Sequence, residues 1–144
     1  MTLADCCVKS VVTVSPKTTV DEVARLMKER NVGSVIVTYN RMPVGIITDR
    51  DLILRVMAEG KEPDQVKAED VMTKDLAIVK GDTGIFEAIE FITQKGVRRI
   101  PIVKPDGTLI GIITLDDVIR MIGREMSRVA DVIERETPTI QPPR

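Results

Sequence analysis

Histidine and tryptophan are absent from this chain, and its rings amount to one Tyr and two Phe. Without histidine there is no Cys-His nucleophile pair and no typical structural zinc set. The Gly-x-x-x-x-Gly-Lys phosphate loop is also missing, which argues against that class of nucleotide hydrolase. Cysteine is scarce: Cys6 and Cys7 are adjacent, where a mutual disulfide would be strained, so both are expected as small apolar core residues in a reducing compartment. Charge of one sign is not in excess, because the net charge is -1 with 30% charged and 43% hydrophobic residues, a balance that suggests neither disorder nor a nucleic-acid footprint. No uniformly apolar run has membrane-spanning length, and Met1-Thr2-Leu3-Ala4-Asp5 lacks the regions of a signal peptide. A cytoplasmic protein with neither nucleic acid nor membrane as partner is expected.

What the chain does contain is a duplication. Shifting the sequence by 65 residues sets Val20, Val23, Ala24, Met27 and Val32 over Ile85, Ala88, Ile89, Ile92 and Val97. The offset then becomes 66, with Gly45 over Gly111 and Leu52, Ile53 and Val56 over Val118, Ile119 and Ile122. The extra residue falls in a turn, between Tyr39-Asn40-Arg41-Met42-Pro43 in one copy and Lys104-Pro105-Asp106-Gly107-Thr108-Leu109 in the other, and hairpins tolerate such length changes. The 144 residues therefore divide into residues 1–66, a first repeat with its connection, residues 67–136, a second repeat, and residues 137–144, a flexible tail.

Each copy has the same local pattern. A short extended segment, Val11–Val14 or Leu76–Val79, leads to an amphipathic helix at 19–30 or 84–95, its apolar residues spaced i, i+3, i+4 and i+7. Thr19 with Glu22 has the spacing of a capping box. Two strands follow, Ser34–Thr38 with Val44–Thr48 and Ile100–Val103 with Leu109–Thr114, and then a second helix beginning near Asp49 or Asp116. The first of these stops around Gly60, and Lys61 to Ala68, with Pro63, is the connection. The second continues its apolar spacing through Met126, Val129 and Ile133, giving a helix of about 18 to 20 residues before Pro138.

The chemistry concentrates where each second strand ends, at Gly45-Ile46-Ile47-Thr48-Asp49-Arg50-Asp51 and Gly111-Ile112-Ile113-Thr114-Leu115-Asp116-Asp117. An ionised Asp accepts hydrogen bonds from two hydroxyls at once, so Asp51 and Asp117 suit a ribose diol, while Thr48 and Thr114 can donate to a phosphate or hold the aspartate. Thr-x-x-Asp is equally a capping box, and one side chain can serve both roles. Arg98 and Arg99 are the main asymmetry, since their counterparts are Gly33 and Ser34. Guanidinium groups pair bidentately with phosphate at roughly 1.5–3 kcal/mol per charge-assisted bond, although a solvated pair is the alternative.

The pattern β-α-β-β-α twice, with Gly-Ile-Ile-Thr-x-x-Asp in both copies and Gly96-Val97-Arg98-Arg99-Ile100-Pro101-Ile102-Val103 in the second, resembles a tandem cystathionine-β-synthase (CBS) domain pair. That resemblance covers about residues 3 to 125. It implies an α+β fold in which the repeats are related by a pseudo-two-fold axis and packed sheet to sheet, with adenosine ligands in two clefts and pairing into homodimers. A main cleft would gather Arg98, Arg99, Pro101, Thr114, Asp116 and Asp117, with the base against Thr18, Val23, Val32, Gly33 and Ser34. The second cleft would use Thr48, Asp49, Asp51 and Ser34, with Thr83, Ala88 and Val97 around the base. For Val23, Ala88, Val32 and Val97 core packing is the competing role.

Three classes of function stay open on sequence. A regulatory adenine-nucleotide sensor fits the paired Thr-x-x-Asp motifs and the arginines, with AMP favoured because two arginines can neutralise one phosphate, and with ADP, ATP or S-adenosylmethionine as alternatives. A structural dimerisation module with vestigial clefts fits the extended last helix. An enzyme fits least, since the repeats fill the chain, no nucleophile-base pair is evident, and no cofactor or metal is required. With no output domain in the sequence, the regulated protein is expected to be a separate partner.

Overall fold

The computed structural model describes residues 2–6 and 10–136. The expectations for Cys7 and for the tail fall outside these residues, and nothing is described of the Cys6 side chain. In chain order the elements are α1 (Leu3–Cys6), β1 (Thr13–Val14), α2 (Val20–Arg30), β2 (Ser34–Tyr39), β3 (Met42–Thr48), α3 (Asp49–Leu52), α4 (Ala68–Val71), β4 (Val79–Lys80), α5 (Ile85–Lys95), β5 (Arg99–Val103), β6 (Leu109–Thr114) and α6 (Leu115–Glu136). A π-helical turn, Ile53–Met57, continues α3, and a short 3-10 turn spans Pro63–Gln65.

Each repeat forms a three-stranded sheet, ordered β1-β2-β3 or β4-β5-β6, in which the first pair is parallel and the second antiparallel. The register shifts at Val37/Thr38 in one sheet and at Ile102/Val103 in the other, positions that correspond at the offset of 65. Alternation along the strands assigns their faces. Val35, Val37 and Ile47 bury against α2 in the first core, and Ile100, Ile102 and Ile113 against α5 in the second. Ile36, Pro101 and Ile112 are equally buried but point the other way and belong to neither core, so they fill the seam where the two sheets face each other. The Leu109 N–H donates to the Arg41 carbonyl at 2.9 Å, joining the two hairpin turns across that seam.

Helix ends follow local chemistry. Asn31 and Gly96, also equivalent, adopt left-handed conformations at φ 52° and 64° and close α2 and α5. Thr19 occupies the N-cap position of α2 but makes no side-chain cap bond, contrary to the expected capping box with Glu22. Its hydroxyl instead sits beside the Asp21 carboxylate and holds that group below the usual carboxylate range. Gly45 is required by packing: a Cβ there would lie 2.9 Å from the Cβ of Met72 and collide with its sulfur.

Two features were not legible in the sequence. The short helices α1 and α4 are exchanged between the repeats. The Leu3 and Ala4 N–H groups donate to the Thr83 and Gly81 carbonyls (3.0 Å each), and Leu3 is fully buried in the second core. Equivalently, the Ala68 and Glu69 N–H groups donate to Thr18 (2.7 Å) and Pro16 (3.0 Å), and Ala68 and Val71 bury in the first core. The boundary at 66/67 thus separates sequence repeats and not hydrophobic cores. The second feature is the π turn. Val56 and Met57 line a groove with Val20 and Ala24, whereas Met121 and Ile122 line the corresponding groove with Ile85 and Ile89. The offset therefore returns to 65 after the turn, and Val56 corresponds to Met121, not to Ile122. One extra residue in the first repeat is absorbed by the wider turn.

Helix α6 runs for 22 residues, slightly longer than expected. Beyond the core-facing Val118 it leaves Ile119, Met126, Val129, Val132 and Ile133 exposed.

Candidate functional site

The strand-to-helix junctions place the two Thr-x-x-Asp motifs in equivalent positions. At the first, Asp51 Oδ2 accepts from the Thr48 N–H at 2.9 Å, and the Asp51 N–H donates to Thr48 Oγ1 at 3.2 Å. At the second, Asp117 Oδ2 accepts from the Thr114 hydroxyl at 2.7 Å and its N–H at 3.4 Å, while the Asp117 N–H donates to Thr114 Oγ1 at 3.2 Å. Both motifs are therefore capping boxes, which fix each carboxylate through Oδ2 and leave Oδ1 outside the box. Among the described residues, Asp117 is the one charged residue that is buried, at 9% exposure.

Each outer oxygen faces an arginine one helical turn on. Arg120 Nη1 donates to Asp117 Oδ1 at 3.2 Å, whereas Arg55 Nε stands 3.8 Å from Asp51 Oδ1. Arg55 instead gives its hydrogen bond to the Val71 carbonyl at 2.8 Å, at the end of α4. Neither arginine stood out in the sequence, where the offset of 66 set Arg55 against Met121; three-dimensional equivalence pairs it with Arg120.

The sequence grouped Arg98 and Arg99 on one cleft, and the structure divides them. Successive residues at the start of a strand point to opposite sides. Arg98 remains near the second motif, its Nη2 3.7 Å from Asp116 Oδ1. Arg99 reaches across to the first repeat, with Nη2 3.8 Å from the point where a Cβ of Gly33 would sit; Asp49 Oδ2 lies 3.5 Å from the same point. Gly33 and Arg99, assigned together to the main cleft, therefore meet Asp49, assigned to the second, and Asp49 is anchored there by its N–H to the Gly33 carbonyl at 3.0 Å.

Several other expected residues stand elsewhere. Val23 and Ala88 are enclosed in the helix-facing cores, and Pro101 fills the seam between the sheets, so none of the three offers a cleft wall. Thr18 and Thr83 are half-buried, their carbonyls holding the exchanged segments. Val32 and Val97 do line openings, of about 450 and 340 Å³ at equivalent places in the two halves. Ser34 is half-buried opposite Thr48 in the β2–β3 ladder. The openings add residues that sequence reasoning passed over: Ser10, Thr13 and Arg30 in the first, Asp75, Ile78 and Lys95 in the second. Their matching positions at the offset of 65 were the available signal, hidden because the segments before β1 and β4 have no periodic pattern.

Among the described residues, no group of three or more His, Cys, Asp or Glu is placed to hold a metal ion, and no helix is long and apolar enough to cross a membrane. Chemically, the junctions offer a fixed carboxylate oxygen, a hydroxyl and one or two exposed guanidinium groups, a set suited to a diol beside an anion.

Comparison with known proteins agrees with this architecture. The family model described as CBS domain matches twice, at residues 3–58 and 68–124. An uncharacterized protein of Methanopyrus kandleri is 41% identical over 78% of this chain, which spans 58% of that protein's length. A CBS domain-containing protein of Bacillus subtilis is 37% identical over 75% of this chain and 76% of its own. An inosine-5'-monophosphate dehydrogenase of Methanocaldococcus jannaschii is 40% identical over 78% of this chain but only 22% of the enzyme. Among solved structures, Hypoxic Response Protein I, crystallised with two coordinated zinc ions, superposes with a TM-score of 0.73 at 25% identity, covering 84% of this chain and 98% of that one. The doubled fold, the two Thr-x-x-Asp junctions and the two family matches together establish that this chain belongs to the CBS-domain family, as a tandem pair.

Proposed function

We propose that the chain is a regulatory module that binds an adenine nucleotide, with AMP as the best-fitting ligand, and transmits occupancy to a separate protein. The observation that carries this is the Asp117 junction. A carboxylate fixed by Thr114 through Oδ2 keeps Oδ1 outside the capping box, with Arg120 upon it and Arg98 beside the adjacent Asp116. A ribose diol can bond the carboxylate while one phosphate meets the guanidinium groups. Three phosphates would bring more charge than these arginines offset, which favours AMP over ATP. The recurrence of the same pair as 22% of an inosine-5'-monophosphate dehydrogenase supports a role beside a separate activity.

Titration calorimetry with AMP, ADP, ATP and S-adenosylmethionine, backed by thermal shift, tests the proposal. AMP should bind most tightly and raise the melting temperature, since a ligand at a hundredfold excess over its Kd stabilises by about 2.7 kcal/mol. Asp117→Ala should remove most AMP binding, whereas Asp51→Ala should leave it largely intact. Absence of heat and of thermal shift with every adenine ligand would overturn the reading. The second reading, a dimerisation module with vestigial clefts, would then stand, favoured by the exposed apolar stripe of α6.

A further inference from the structure

The two junctions share a sequence motif but differ in what holds the outer carboxylate oxygen. Arg55 lies four positions after Asp51, whereas Arg120 lies three positions after Asp117. The additional residue lies in the π turn Ile53–Met57, and with it the arginine stands 3.8 Å from Asp51 Oδ1 and bonds the Val71 carbonyl instead. In α6, with no such turn, Arg120 closes on Asp117 Oδ1 at 3.2 Å, and the Asp117 side chain is only 8% exposed. The outer oxygen, where a diol would bond, is thus hydrogen-bonded by a guanidinium in the second repeat and only loosely ion-paired, at 3.8 Å, in the first, where the Asp51 side chain is 15% exposed.

We infer that Arg120 is a specificity-determining latch that makes the Asp117 cleft dependent on a phosphorylated ligand, while the π turn leaves the Asp51 cleft open to an uncharged nucleoside. The inference rests on the proposed binding of adenine nucleotides. To receive a diol, Asp117 must give up its bond to Arg120. A nucleoside offers that cation no replacement, so the charge-assisted bond is lost. A phosphate does offer one, and Arg120, with a side chain 61% exposed, has room to swing to it. At Asp51 only the longer 3.8 Å ion pair is disturbed, and Arg55 keeps the Val71 carbonyl as its hydrogen-bond partner. One chain thereby carries two junctions of the same motif whose charge selectivity differs through the spacing of one arginine, Arg120 against Arg55, with Arg99 standing beside Asp49 at the first.

The test uses adenosine and AMP as probes, titrated calorimetrically into the full chain. In an Asp51→Ala background, which isolates the Asp117 cleft, AMP should bind at least tenfold more tightly than adenosine. Adding Arg120→Ala should raise adenosine affinity at least fivefold while AMP affinity falls. In an Asp117→Ala background, Arg55→Ala should change adenosine affinity less than twofold. Asp51→Asn, which keeps an acceptor for the Thr48 N–H, replaces Asp51→Ala if the latter unfolds. Unchanged adenosine affinity on removing Arg120 would overturn the latch and reduce Arg120 to a phosphate contact. An equal gain from Arg55→Ala would overturn the role of the π turn. If neither probe binds the unmodified chain, the nucleotide reading falls and the latch falls with it; AMP binding without these differences removes the latch alone.

Discussion

Arg99 of the second repeat lies over Gly33 of the first, its Nη2 3.8 Å from the position a Cβ would take there. Glycine leaves that space open, and ordinary contact distances mean a methyl group fits. Gly33→Ala should therefore keep AMP affinity within about threefold, less than the tenfold that 1.4 kcal/mol represents. In an Asp117→Ala background, which reports on the cleft that Arg99 faces, Gly33→Glu places a carboxylate against Arg99 and should weaken AMP binding by about tenfold or more, through loss of a charge-assisted contact. Equal affinities for the two variants in that background, measured by calorimetry, would show that Arg99 does not serve the ligand.

Gly45 and Met72 make a second close relationship. A Cβ at position 45 collides with the methionine side chain and comes 2.9 Å from Met72 Cβ. Gly45→Ala should destabilise the fold by about 1–3 kcal/mol, the usual cost of overpacking. Met72→Ala in the same chain should restore part of that loss. Denaturant unfolding of the two variants and the double variant measures the coupling.

Leu3 is fully buried in the core of the repeat that its own sequence does not belong to. Leu3→Ala should cost about 2–5 kcal/mol, as for large-to-small changes in established cores. The loss should register in probes of the second repeat, such as amide exchange in β5, more than in the first. Exchange rising equally in β2 would mean that the two cores melt as one unit.

The turn holding Leu3 is sensitive to acid. The Thr2 hydroxyl, at 2.8 Å, and the Thr2 N–H, at 3.1 Å, both donate to Asp5 Oδ2 and hold its carboxyl below the ordinary value of 3.8. A depressed folded-state pKa gives stability that is present above the unfolded value and is lost as pH falls through the folded one. The melting temperature of Asp5→Ala should accordingly lie below that of the unmodified chain at neutral pH, with the gap narrowing as the pH drops below 3.8. A constant gap across that range would assign the effect to packing.

The exposed side chains of α6 predict self-association. Met126 and Val129 are 68% and 58% exposed on one face, in line with Ile122 and Ile133, and a two-fold contact is the simplest closed way to cover such a stripe. Sedimentation should find a homodimer at micromolar concentration. Met126→Glu with Val129→Glu should shift it to monomer, and a dimer that persists would place the contact elsewhere.

Much of this fold was legible because hydrophobic spacing was regular. Helices expected at 19–30 and 84–95 occupy Val20–Arg30 and Ile85–Lys95, and the paired strands lie within two residues of their expected ends. The capping boxes were also readable, since Thr and Asp three apart at a strand end act locally. The exchanged helices α1 and α4 were not, because four residues show no period and their burial depends on a distant partner. Nor was the π turn, since a single extra residue alters three-dimensional equivalence without disturbing the apolar pattern. The divergence of Arg98 and Arg99 follows from strand alternation, yet which of them crosses to Gly33 depends on how the two halves meet.

The reciprocal exchange of α1 and α4 has a consequence for how the repeat can be handled as a unit. A fragment cut at the sequence boundary carries a strap meant for the other half and lacks the one that closes its own core. The first repeat made alone as residues 1–66 keeps the Thr18 and Pro16 carbonyls that receive Ala68 and Glu69, but the donors are gone. Such a half is an incomplete tile. Mixing the two halves should reconstitute the pair without a covalent link, and either half left by itself has an incentive to borrow a strap from its neighbour and swap.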